Sequence, residues 1–208
     1  MLYLAATSSS LENRHPKLGV MIGPRVGGLR PIIEGRLWGG DNDAFNNFDS
    51  GKFMKHLKRM QSFQSTCLFF AAPDVVGNAV ETMNQFKGWA EIIKDHGFPV
   101  AYVAQDGAEH LELPDCDAVF IGGSTEWKLS KESEAIMHEA KQSNKWLHVG
   151  RVNSLKRCLW ADHHGADSVD GTHLSFAGAV GVNAGGMYDL ESWVTTIQYQ
   201  KENRLCFS

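Results

Sequence analysis

Short apolar runs, separated by longer amphipathic stretches, recur along most of the chain. They cover residues 2–7, 18–22, 66–72, 100–104, 118–121, 147–149 and 168–169. Each is the length of a buried strand and too short for a helix. Between the third and fourth runs, Val80, Met83, Phe86, Ala90 and Ile93 return at three- and four-residue spacing ahead of Gly97. That spacing predicts an amphipathic helix closed by a glycine. A second helix is expected over 131–142, and a third from an Asn153 cap to a Gly165 stop. Lys52, Lys55, Lys58 and Arg59 interleave with Phe53, Leu57 and Met60, which predicts one more helix with a basic and an apolar face.

Strand and helix in alternation are the signature of parallel βα units. Several runs also end in polar or glycine-rich residues: Pro73-Asp74, Gln105-Asp106-Gly107, Gly122-Gly123-Ser124, Gly150-Arg151-Val152 and Asp170-Gly171-Thr172. Strands that release polar loops at their C-terminal ends build the active face of an α/β fold. A single-domain, short (β/α)8 TIM barrel is the expected architecture, and a doubly wound sheet is the alternative. At 208 residues the barrel is near the lower end of its size range. Some helices are therefore expected to be abbreviated or missing, and residues 23–40 read as loop.

Composition narrows the partners only slightly. The formal charge of −4 gives no global attraction to a polyanion, so any nucleic acid must be held by a local basic patch. Arg151, Lys156 and Arg157 follow a strand on the expected active face and are the candidates for backbone contact; the basic helix face is a second, weaker one. Cys67, Cys116, Cys158 and Cys206 are far apart and form no C-x-x-C pair, which argues against a structural zinc and a disulfide framework. His163-His164 more readily meets a helix dipole than a metal. No apolar run approaches the roughly 20 residues of a membrane span, and the first residues lack a basic n-region. A cytoplasmic protein with no membrane partner is expected, in the host cytoplasm if the chain is viral.

Six short segments carry candidate chemistry. They are Gly39-Gly40-Asp41-Asn42-Asp43-Ala44-Phe45-Asn46, Phe70-Ala71-Ala72-Pro73-Asp74, Val103-Ala104-Gln105-Asp106-Gly107, Phe120-Ile121-Gly122-Gly123, His148-Val149-Gly150-Arg151-Val152 and Gly165-Ala166-Asp167-Ser168-Val169-Asp170. In this order they resemble the strand ends of the tRNA-guanine transglycosylases, which exchange guanine for a 7-deazaguanine on an intact polynucleotide. The resemblance spans Asp41 to Asp170 and implies a TIM barrel. It implies Asp170 as nucleophile and Asp41 as general acid/base. It further implies Asp74, Gln105, Gly122, Gly123 and Phe45 around the base, with His148 a further candidate at its strand end. Asp43, Ala44 and Asn46 depart from the family's Asp-Ser-Gly-Gly-Phe-Gln segment, and Asp43 is a rival acid/base. The zinc site of the tRNA enzymes, three cysteines and a histidine beyond the nucleophile, has no counterpart, since only Cys206 follows Asp170. This makes the chain most similar to the small DNA-guanine transglycosylases of phages and some bacteria, with DNA (or tRNA) guanine and a free 7-deazaguanine such as preQ0 as partners. No cofactor is implied, and the oligomeric state stays open.

The chemistry asks for the same residue types independently. Breaking an N-glycosidic bond with retention needs one carboxylate to trap C1′ and a second group to move the proton. Reading a guanine-like base needs acceptors for its N–H groups and donors for its carbonyl. A base removed from its stack needs an aromatic to receive it, for which Phe45 is placed. Three alternatives remain: aspartates at strand ends that only cap helices, as Asp74 or Asp167 would; a phosphate site at Gly122-Gly123-Ser124 serving a phosphosugar or nucleotide enzyme; and a non-catalytic nucleic-acid-binding barrel.

Overall fold

The computed structural model describes residues 1–6, 15–173 and 185–205. Thr7, at the end of the first expected run, and Cys206 lie outside them. Eight parallel strands form a closed barrel in sequence order. They are β1 (Leu2–Ala6), β2 (Leu18–Ile22), β3 (Trp38–Gly40), β4 (Cys67–Ala71), β5 (Val100–Ala104), β6 (Ala118–Ile121), β7 (Trp146–Val149) and β8 (Ser168–Gly171). Closure comes from β8 pairing with β1, Leu4 standing opposite Asp170.

The helices are unequal. α1 (Arg30–Ile33) follows β2, α2 (Ser50–Met60) follows β3, and α3 (Ala79–Asp95) follows β4. α4 (Thr125–Lys128) and α5 (Lys131–Gln142) lie between β6 and β7, α6 (Leu155–His163) precedes β8, and α7 (Gly185–Leu205) packs back on the barrel. Between β5 and β6 only a 3-10 turn, Ala108–His110, replaces a helix. The abbreviation expected for the first third is real at one-turn α1, yet residues 23–40 are not all loop, because they also contain β3.

Capping explains the boundaries. Asp49, Asn78, Ser130 and Ser154 each accept a bond from a first-turn N–H of α2, α3, α5 and α6. Ser154, rather than Asn153, therefore caps α6. The Asn153 carboxamide oxygen instead accepts from the N–H groups of Thr172 and His173 and ties down the exit of β8.

Strand periodicity divides the core in two. Outward residues such as Trp38, Phe70, Tyr102 and Val149 bury against the helices. Inward residues Leu4, Met21, Phe69, Ala101 and Ala118 fill the barrel with Phe120 and Trp146. The same alternation continues upward, so Val103 is followed by Gln105, Phe120 by Gly122, His148 by Gly150 and Ser168 by Asp170 at inward positions. The barrel's own register thus delivers the polar strand ends to one mouth.

Candidate functional site

That mouth is a cavity of about 140 Å³, lined by Asp41, Asn42, Phe45, Ala71, Asp74, Val76, Val103, Gln105, Phe120, Gly122, Gly150, Arg151 and Asp170. An engineered cavity of about 150 Å³ holds one benzene, so the space suits a single heteroaromatic ring system whose remainder projects into solvent. Of the expected site residues, Asp170, Asp41, Asp74, Gln105, Gly122 and Phe45 meet here, joined by Arg151. Gly123, His148, Lys156 and Arg157 do not line the cavity.

Asp170 is held by one oxygen. Its Oδ1 accepts from the Arg151 backbone N–H at 2.9 Å and from His148 Nε2 at 3.3 Å. Both donors fall on Oδ1, leaving Oδ2 without either. His148 is fully buried, packed between Phe69 and Phe120, and lies beneath the cavity rather than in its wall. Burial, ahead of the opposing pull of Asp170, holds its pKa below the ordinary histidine range. The neutral ring then donates its Nε2–H as a hydrogen bond to the carboxylate, and Nδ1 accepts from Ser168 Oγ at 2.8 Å. Ser168 Oγ in turn accepts from Trp146 Nε1. The expected substrate-contacting histidine is thus an orienter of Asp170.

Asp41 faces Asp170 across the site. Burial, reinforced by the charges of Asp170 and Asp43 against backbone hydrogen bonds from Asp43 and Asn42, raises its pKa from 3.8 to about 6. Asp43 points elsewhere: its residue adopts φ 60°, and its carboxylate pairs with Arg25 and accepts from Asn46 Nδ2. Of the two rivals on this loop, only Asp41 reaches the cavity.

Asp74 does not cap α3, since Asn78 does. Its Oδ1 accepts from Asn42 Nδ2 at 2.7 Å and its Oδ2 from Gln105 Nε2 at 2.6 Å. Burial raises its pKa in spite of these bonds. Gln105 is anchored from the other side by the Gly77 N–H on its Oε1. Asn42 is 4% exposed, donates also to the Ala72 carbonyl, and accepts from the Ala44 N–H. Sequence reasoning did not single it out, although it stands beside Asp41 in the same segment.

Gly122 and Gly123 were expected to turn bare backbone toward the base. Both N–H groups already donate to the Ala104 carbonyl, at 2.9 and 3.2 Å. Their carbonyls accept from Arg151 Nη2. The next N–H and hydroxyl, those of Ser124, bind the Asp106 carboxylate at 2.7 and 2.6 Å. A built-in carboxylate therefore occupies the place where a phosphate would sit, which removes the basis for the phosphate-site alternative.

Arg151 was expected on a nucleic-acid backbone. Instead its φ of 58° turns it over the cavity, its guanidinium 5.5 Å from the Phe45 ring centroid. Holding a non-glycine residue there costs on the order of 1–3 kcal/mol, which the bonds at both ends of the residue offset. Phe45 is 71% exposed and stands at the rim, where it can stack on an entering base. Lys156 is exposed on α6 and Arg157 partly so, outside the cavity but near its mouth.

Asp167 lies at the start of β8, at the opposite end of the barrel from Asp170. It accepts from Lys141 Nζ and from the Leu147 N–H and has a structural role. Among the described residues no cluster of histidine, cysteine and acidic side chains is placed to hold a metal. No helix among them is long and apolar enough to cross a membrane. Neither a scan of protein-family models nor a search of curated proteins finds a match to this chain.

Proposed function

We propose that this barrel is a base-exchange transglycosylase, replacing guanine in DNA with a 7-deazaguanine through a covalent aspartyl-glycosyl intermediate. One observation carries the reading: Asp170 and Asp41 converge on a single base-sized cavity whose polar wall also holds Arg151 and the Asp74–Gln105–Asn42 network. In the first half-reaction Asp170 Oδ2 attacks C1′ and the C1′–N bond breaks. Asp41, with a pKa near 6, gives the departing base its proton. In the second, the incoming base attacks C1′, returns a proton to Asp41 and displaces Asp170, so configuration is retained overall.

The base is read by groups whose capacity is only partly used. Each Asp74 oxygen accepts one bond here and can accept another, and the Gln105 amide has a second hydrogen to give. Arg151 supplies a cationic donor over the same space. Lys156 and Arg157 contact the strand outside the cavity. The deciding experiment incubates the protein with radiolabelled guanine or preQ0 and, separately, duplex DNA and tRNA. Label should enter DNA and should fall by roughly 10⁴-fold in Asp170→Asn. Label in tRNA alone would move the substrate to RNA; label in neither polymer, or an unaffected Asp170→Asn, would sink the proposal.

A further inference from the structure

We propose that Lys128 is a positioning residue for the Asp170 carboxylate, acting through the one peptide unit that joins Gly150 to Arg151. The proposal rests on Asp170 being the nucleophile. Lys128 ends the one-turn helix α4 and is only 5% exposed, a costly place for an ammonium unless it is hydrogen-bonded. Its Nζ donates to the Gly150 carbonyl at 2.7 Å. The N–H of that same peptide belongs to Arg151 and donates to Asp170 Oδ1 at 2.9 Å.

Carbonyl and N–H of one peptide share a conjugated plane. An ammonium on the oxygen draws density from the nitrogen and makes the N–H a stronger donor. It also fixes the plane, so the Arg151 N–H is aimed at Oδ1 while Arg151 holds φ 58°, a conformation that persists only where its surroundings impose it. Lys128 does not line the cavity, and direct contact with substrate therefore does not account for its burial. Facing it are Arg151 and Arg157, Asp106 beyond β5, and Asp170 on β8, with His148 on β7 also within its field.

The test reads the Arg151 amide by 1H–15N NMR on the full chain. The wild-type resonance lies downfield, as for an N–H bound to a carboxylate. In Lys128→Met it moves upfield while the melting temperature and the amides of β2 to β4 hold. In the exchange assay kcat falls by roughly ten- to hundredfold, the scale of a misplaced reacting group, with KM for the free base little changed. Lys128→Arg, which keeps a cation, recovers part of the loss. An Arg151 amide that does not move in Lys128→Met overturns the proposal, as does an unchanged kcat in a protein whose Asp170→Asn variant is dead. If Asp170→Asn is instead fully active, the functional reading fails, and the amide response still reports whether Lys128 is coupled to Asp170.

Should Lys128→Met not fold, titration of an otherwise native chain decides. Burial and then the Arg151 charge lower the Lys128 pKa to about 7. The Arg151 amide shift is therefore expected to follow a proton loss below the ordinary lysine range. Asp41→Asn carries the measurement, removing the carboxylate that titrates at about 6, and His148 titrates below its ordinary range. An Arg151 amide shift that follows no proton loss anywhere between this region and the ordinary lysine range overturns the proposal.

Discussion

Asp41 sets its proposed role in proton transfer against stability. Its folded pKa of about 6 exceeds the ordinary 3.8, so the native state favours the protonated form. The stabilising contribution is complete below pH 3.8 and is lost as pH rises through 6. Above that, the charged carboxylate opposes folding by roughly 3 kcal/mol. Asp41→Asn should therefore melt higher than wild type at about pH 7.5 and converge with it below about pH 4, while exchanging no base. Equal melting at both pH values would mean the burial is not felt. Asp74 should behave differently, because its oxygens are already bonded to two amides. Asp74→Asn places a donor against Asn42 or Gln105 and should cost roughly 1–3 kcal/mol in affinity for free base, read by titration, as well as some stability. Undiminished base affinity would remove Asp74 from the recognition surface.

At the scale of elements, apolar runs made seven of the eight strands legible, and the polar residues that end them marked the site. β3 was not legible, because Trp38-Gly39-Gly40 has almost no side-chain pattern to read. Its glycines answer to neighbours far away in sequence: a Cβ on Gly39 would fall 2.8 Å from Phe69, and one on Gly40 2.6 Å from Phe70. Phenylalanines on β4 fill the space that β3 gives up. Lys128 and Arg151 were opaque for a related reason. A lysine buried at the end of a short helix, and an arginine turned inward by a positive φ, depend on carbonyls supplied by other strands. Gly150 tests how closely β6, β7 and β8 fit at the cavity floor. A Cβ there would stand 2.6 Å from the Phe120 ring and 3.3 Å from Asp170 Oδ1. Gly150→Ala should cost roughly 1–3 kcal/mol in stability and most of the activity, whereas Gly28→Ala, in open space, should retain full activity. An active, stable Gly150→Ala would show that Phe120 yields easily.

On the scale of the whole molecule, the net charge of −4 leaves a polynucleotide to be held by a few groups near the mouth. Arg151 is already engaged, so under the proposed function Lys156 and Arg157 would carry most of the phosphate contact. The slope of log K against log salt should then be no steeper than about −3, and Lys156→Ala should flatten it by about 1. A slope near −6 would bring in a second basic surface, such as Lys52, Lys55 and Lys58 on α2. Barrel closure has a consequence for synthesis. Chains leave the ribosome N-terminus first, so β1 waits with an open edge until β8 arrives to pair with it. The strand that seals the barrel is also the one that brings Asp170. A polypeptide cut short before that point lacks both the closing strand and the proposed nucleophile, so under the proposed function a broken translation product would leave the bases of DNA in place.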